Sequence, residues 1–242
     1  MVQRSVLFLA VLVSSFPANA RETERTVIES DGWALIGELQ IPDRATAAPV
    51  VLMLNQAAGD RTPYGELAAE LDERGIASLR LDLRGHGEST NLGAFNPQKI
   101  TAKDRETMIW QADKDVIAAR RFLQGHPALD ANRIAIIGAS YSGEEMAEAG
   151  RNSTHASAYV AISPGSFSGE SIDEMDDSDA SWLFIVSKND PFLREIVANV
   201  REKTQSVEIV YLPGDRHATD ILDSRPDMAT RIAAWLHQAI GE

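Results

Sequence analysis

The stretch Ile134-Ala135-Ile136-Ile137-Gly138-Ala139-Ser140-Tyr141-Ser142-Gly143 opens as an apolar run rich in isoleucine and closes in small residues around one serine. A helix-like amphiphilic segment, Glu144 to Arg151, follows at once. A strand that turns sharply into a helix at a serine is the setting of a nucleophile elbow, where the turn lifts the hydroxyl above the sheet edge. Bulk beside such a turn would clash with neighbouring strands, so Gly138, Ser142 and Gly143 suit it. The fifth position of the pattern is Ser142 where glycine is usual.

Outward from this elbow, apolar runs alternate with helical segments. Thr26 to Glu29 and Ala34 to Ile41 predict two antiparallel strands joined at Asp31-Gly32, a hairpin turn pair. Val50 to Leu54 is continuously apolar, as a strand buried on both faces requires. Tyr64 to Arg74 has helical spacing and stops at Gly75, and Ile76 to Leu81 is the next strand. A loop from Asp82 to about Lys103 leads to one helix from Asp104 to Gln124. Arg133 to Ile137 is the elbow strand; Ala156 to Ile162, Trp182 to Ser187 and Val207 to Leu212 are three more. Helices are expected at Phe192 to Lys203 and Met228 to Ile240. This alternation predicts an α/β fold, a mainly parallel eight-stranded sheet with helices on both faces. Functional groups then belong beyond the C-terminal ends of the strands.

Several chemistry-bearing residues meet that demand. Asn55-Gln56 follows the third strand, Asp82-Leu83-Arg84-Gly85-His86-Gly87-Glu88-Ser89 follows the fourth, Asp190 follows Trp182 to Ser187, and His217 follows Val207 to Leu212. In these residues the chain resembles the α/β-hydrolase family, close to its compact dienelactone-hydrolase-like and small serine esterase branches. The family order is nucleophile, acid, histidine, and the resemblance puts Ser140, Asp190 and His217 in those roles. The segment from Asp82 to Ser89 matches a loop common in the family, and the likeness covers nearly all of residues 21–242. Three positions depart from the family pattern besides Ser142. Asn55 replaces a histidine found in many relatives, Ala218 replaces the glycine that often follows the catalytic histidine, and Ser140 replaces the cysteine of dienelactone hydrolases proper.

The implied chemistry is general. A serine hydroxyl is a weak nucleophile, so His217 would take its proton and later return it to the leaving group. Asp190 would hold the imidazole tautomer. The oxyanion hole falls to the backbone N–H groups of Gln56 and Tyr141, and Glu144 and Glu145 are expected to point away from it. Each residue has a plainer alternative: Ser140 as a small turn residue, His217 as a surface histidine, and Asp190 as a helix N-cap. Asp215 and Asp220 are the fallback acids. Asp82 and Arg84 are expected to brace their own loop as an ion pair, and Gly85 and Gly87 to permit positive φ.

Composition bounds the rest. Arg4, the apolar run Val6 to Val13, Pro17 and Ala18-Asn19-Ala20 read as a secretory signal peptide over residues 1–20, followed by a single domain over 21–242 and a secreted or periplasmic location. The chain has no cysteine, so neither a disulfide nor a thiol nucleophile is available. A net charge of −13 argues against nucleic acid or an anionic membrane as partner. Neither a metal nor an organic cofactor is implied, and the oligomeric state is open. The carboxylates from Glu170 to Asp179 read as a solvated surface segment in preference to a calcium site, and would disfavour anionic substrates if they lined the mouth. Between Ile162 and Trp182 there is room for a minimal cap of about one helix, which favours short acyl groups. The expected function is hydrolysis of an ester-like bond in a small molecule. A peptidase or thioesterase with the same three residues, or a non-catalytic binding protein on the same fold, are the alternatives.

Overall fold

A computed structural model describes residues 23–43, 45–190, 193–204 and 207–241. The segment 1–20 that reads as a signal peptide, and Phe192, the first residue of the helix expected over Phe192 to Lys203, lie outside the described residues.

Strands β1 (Thr23–Ser30) and β2 (Trp33–Gln40) pair antiparallel. Their turn residues, Asp31 and Gly32, take φ of 54° and 85°, the left-handed pair that matches the twist of the flanking strands. The remaining strands are β3 (Ala48–Leu54), β4 (Ala77–Leu81), β5 (Leu129–Ala139), β6 (Ala158–Ile162), β7 (Ser181–Ser187) and β8 (Val207–Leu212). They form one eight-stranded sheet in the order β1-β2-β4-β3-β5-β6-β7-β8. From β4 to β8 all neighbours run parallel, whereas β2 meets β4 antiparallel.

Residues of β3 alternate between the two faces. Val50, Leu52 and Leu54 pack under α3 (Asp113–Gln124) and α4 (Ser142–Arg151), while Val51 and Met53 pack under α1 (Gly65–Asp72) and α8 (Asp227–Ile240). Both layers are apolar, so β3 is a continuous hydrophobic run with no polar face. Each large side chain fully withdrawn from water here stabilises the fold by roughly 1.5–3 kcal/mol.

The expected helix over 104–124 is two helices, α2 (Ala102–Met108) and α3. Thr101 starts α2 through a reciprocal capping box with Asp104. After the break at 109–112, the Asp113 N–H donates to the Glu145 carboxyl at 3.2 Å, a partner 32 residues away. That tertiary contact, invisible to local periodicity, lets a new helix start there. The acidic segment also forms a helix, α5 (Gly169–Asp177), which buries Ile172 and Met175 and is the whole link between β6 and β7 apart from short turns. A short helix, α7 (Asp220–Ser224), forms in the connection after β8, and α6 spans Leu193–Lys203.

The chain leaves β3 toward β4 on one side and later returns to add β5 on the other. The ends of β3 and β5 are therefore adjacent, with Leu54 beside Gly138. A crevice at such a reversal point is where this class of sheet binds ligands. Among the described residues no helix is long and apolar enough to cross a membrane.

Candidate active site

Ser140 sits one residue beyond β5 with φ of 56°, a left-handed conformation that costs a residue with a side chain about 1 kcal/mol or more. Surrounding hydrogen bonds hold it there. Its N–H donates to Ile162 O at 3.0 Å, and its own carbonyl accepts from Gly143 N and Gly165 N, both at 3.1 Å. A Cβ at Gly138 would lie 2.5 Å from the Ser142 carbonyl oxygen, so only glycine lets the turn close. Ser142 is fully buried; its hydroxyl accepts from Ala139 N at 2.8 Å and lies 2.9 Å from Ala139 O. The serine in place of the usual glycine thus knots the turn from inside.

Beyond β7 and β8, the loops bring the other two residues to Ser140. His217 Nε2 lies 2.9 Å from Ser140 Oγ, and His217 Nδ1 lies 2.7 Å from Asp190 Oδ2. The Asp190 side chain is buried, whereas the His217 ring is about 30% exposed. In the neutral tautomer that donates Nδ1–H to Asp190, Nε2 is the acceptor for the serine proton. Asp215 and Asp220 are exposed. Ala218, in place of the family's glycine, takes φ of 52° with its methyl fully buried among the α7 and α8 side chains.

Among the described residues, neither the Tyr141 N–H nor the Gln56 N–H has an acceptor. The loop carrying Gln56 is pinned on both sides. Asn55 Nδ2 donates to Gln56 O at 2.8 Å while Asn55 Oδ1 accepts from Leu83 N at 2.8 Å. Gln56 Oε1 accepts from the Thr219 N–H and hydroxyl, both at 3.0 Å, which ties this loop to the loop of His217. The asparagine that departs from the family pattern therefore has a positioning role that its sequence context did not reveal.

Glu144 and Glu145 both point away from Ser140. The Glu144 carboxyl accepts from Ser168 N and Ser171 Oγ, each at 2.9 Å, and so is held against the start of α5. Burial, followed by the nearby Glu148 and Asp113 carboxylates, raises the Glu145 carboxyl to about 9. The folded chain thus retains a proton that the unfolded chain releases above its ordinary value of 4.5. Stability gained from that proton is complete below the unfolded value and is lost as pH rises toward 9. Glu145→Gln keeps an acceptor for Asp113 N–H and removes the charge. It is expected to exceed the wild type in stability by about 2–3 kcal/mol at pH 7, with the gap widening from pH 5 to pH 9. Urea unfolding across that range measures it, and a gap that stays constant with pH would contradict the assignment.

The loop from Asp82 to Ser89 is braced, but not by its own ion pair. Asp82 takes Arg61 as partner at 2.6 Å and also accepts from Arg61 N and Glu88 N. Arg84 reaches the other way, to Asp115 of α3 at 2.7 Å, with both side chains buried. Gly85 and Gly87 have φ of 76° and 49°, and a Cβ at Gly87 would collide with the Asp82 carboxylate. His86 is buried, its ring stacked between Phe95 and Tyr141 at centroid distances of 4.8 and 5.5 Å. Burial lowers its pKa, so the ring is neutral, and Nδ1–H donates to Arg84 O. This stack supports Tyr141, the residue that offers the amide beside Ser140.

The described acidic side chains of α5 do not turn toward Ser140. Glu170 pairs with Arg151 of α4 at 2.5 Å and Asp173 with Lys203 of α6 at 2.8 Å. Among the described residues no group of three or more His, Cys, Asp or Glu side chains is arranged to hold a metal ion.

No protein-family model matches the chain. It is 32% identical over 115 residues to an uncharacterised protein of Mycobacterium tuberculosis, a match that covers 47% of this chain and spans only 36% of that relative. A probable 2-oxo-3-(5-oxofuran-2-ylidene)propanoate lactonase of Bradyrhizobium is 25% identical over 214 residues, covering 79% of this chain and 81% of the relative. Among solved structures, Est1E from Butyrivibrio proteoclasticus, in its complex with ferulic acid, superposes with a TM-score of 0.71 at 17% identity, covering 90% of this chain and all of that one. The dienelactone hydrolase of Anabaena variabilis gives 0.67 at 19%, covering 90% and 98%. Strand order, the crevice between β3 and β5 and these superpositions agree that this chain has the α/β-hydrolase fold, in the compact form of dienelactone hydrolase-like proteins and small esterases.

Proposed function

We propose that the protein is a serine hydrolase that cleaves an ester-like bond of a small molecule through Ser140, His217 and Asp190. The observation that carries this reading is the continuous relay from Oγ to imidazole to carboxylate, at 2.9 and 2.7 Å. In the first step Ser140 Oγ attacks the carbonyl carbon while His217 Nε2 takes the hydroxyl proton. The N–H groups of Tyr141 and Gln56 receive the negative oxygen, at the start of α4, where the helix dipole favours it. His217 then protonates the departing alcohol, and the acyl group stays on Ser140. Water, deprotonated by the same imidazole, releases the acid and restores the serine.

An ester is favoured over other acyl bonds by the company the chain keeps: a probable lactonase among its relatives, an esterase and a dienelactone hydrolase among its fold neighbours. A lactone is an ester closed into a ring, so that relative stays within the proposed class. The single short helix α5 as cap supports small acyl groups over long ones. The export signal read in residues 1–20 supports action outside the cytoplasm.

A fluorophosphonate probe tests the reading. The wild-type protein is expected to gain one probe mass on the peptide containing Ser140. Absence of labelling in folded protein would reject the nucleophile and favour the binding-protein alternative.

A further inference from the structure

The three residues after β6, Ser163, Pro164 and Gly165, form a wall whose last member stands against Ser140. A Cβ placed on Gly165 would lie 3.4 Å from Ser140 Oγ and 3.6 Å from Tyr141 N. No other glycine has an Ser140 side-chain atom or the Tyr141 amide among its nearest neighbours. An acyl carbon held by Ser140 sits one bond from Oγ, with its oxygen turned toward the Tyr141 N–H. The empty Cβ position of Gly165 thus borders the space that an acyl group on Ser140 Oγ occupies.

The wall is fixed in place. Gly165 N–H donates to Ser140 O at 3.1 Å and Ser163 N–H to Ile185 O at 2.8 Å. Pro164 packs on α4, its Cβ 3.1 Å from where a Cβ of Gly143 would stand. Phe167, just beyond, is buried against Phe184 at a ring distance of 5.3 Å. A side chain at 165 could not be accommodated by moving this segment without breaking the bond to the serine's own carbonyl. Nor is glycine required there by the backbone, because Gly165 is not among the residues with left-handed φ.

We infer that Gly165 is the specificity-determining position of the site: its missing side chain leaves room for a substituent on the carbon next to the scissile carbonyl. The substrates this geometry favours are esters branched or ring-bearing at that carbon. The inference rests on Ser140 being the nucleophile.

The test compares two isomers of equal size and similar polarity, p-nitrophenyl n-butyrate and p-nitrophenyl isobutyrate, on the full-length protein. Wild type is expected to turn over both. Gly165→Ala is expected to lose kcat/KM at least about tenfold more on isobutyrate than on n-butyrate, the scale of one misplaced methyl group in a tight pocket. Gly165→Ser, of similar size but polar, must follow Gly165→Ala if the effect is steric. Thermal melting within a few degrees of wild type certifies the fold of both variants. Equal losses on the two isomers, or no loss on either, would overturn the inference while wild-type labelling at Ser140 leaves the nucleophile standing. Failure of the wild type to label would remove the nucleophile and this inference together.

Discussion

Ser140→Ala is expected to lower kcat for a nitrophenyl ester by about 10⁴- to 10⁶-fold, the range seen when a hydrolase loses its nucleophile but keeps its binding groups. Stability should hardly change. The hydroxyl contributes one hydrogen bond, to His217 Nε2 at 2.9 Å, worth about 1 kcal/mol net. The costly part of the elbow is its backbone, with φ of 56°, and alanine bears that strain as serine does. The bonds that enforce it run through the Ile162 carbonyl and the Gly143 and Gly165 amides, none of which needs the side chain. Asp190→Asn should fall less far, by about 10⁴-fold, because the imidazole remains but is held in the wrong tautomer. Steady-state kinetics with thermal melts on both variants decide the matter. A Ser140→Ala protein that keeps more than a tenth of wild-type activity would exclude Ser140 as nucleophile.

The residues that drew attention to this site were legible because they obey strong local rules. The unbroken apolar run Val50 to Leu54, short and rich in β-branched and leucine side chains, has the pattern of a strand covered on both faces. Asp31-Gly32 is one of few dipeptides that accept two left-handed residues in a row. Ser140, Asp190 and His217 each lie a few residues past a strand, and a parallel sheet brings all such points to one edge.

What stayed hidden depends on partners distant in sequence. The break between α2 and α3 follows from a carboxyl on α4, and no pattern within residues 104–124 announces it. Asp82 and Arg84, two residues apart, project to different neighbours, so proximity in sequence suggested a pair where the fold makes two separate ones. Ser142, Ala218 and Asn55 look like lapses from the family pattern when read in line. In three dimensions Ser142 bonds the turn it crowds, Ala218 fills core space, and Asn55 couples the β3 and β4 loops. Nothing in the sequence around Gly165 distinguishes it, because what does so is the serine across the crevice.

Asp115→Ala is expected to destabilise the protein by about 3–5 kcal/mol, since it leaves a buried guanidinium without its counter-charge. Arg84 Nε and Nη2 both donate to Asp115 Oδ1, at 2.9 and 2.7 Å, and the Arg84 N–H donates to Oδ2 at 2.8 Å. After the substitution its described partners are the Ser30 hydroxyl at 3.3 Å and exposed Asp31 at 3.9 Å. Burial pushes the Asp115 carboxyl up in pKa and the guanidinium offsets part of that rise, so neither charge is comfortable alone. Removing both should therefore cost less than removing one, and Arg84→Met with Asp115→Leu is expected to recover most of the loss. Activity should follow the loop as well as the fold. Arg84 anchors the segment that carries His86, and His86 is the ring on which Tyr141 rests. If that stack positions the Tyr141 amide, the double variant will be stable yet slower, with kcat reduced more than KM is raised, because the oxyanion donor acts in the transition state and little in substrate binding. Urea unfolding and steady-state kinetics on the two single variants and the double separate these effects. A single Asp115→Ala variant that loses less than about 1 kcal/mol would show that water reaches Arg84, and that the pair does not hold the loop.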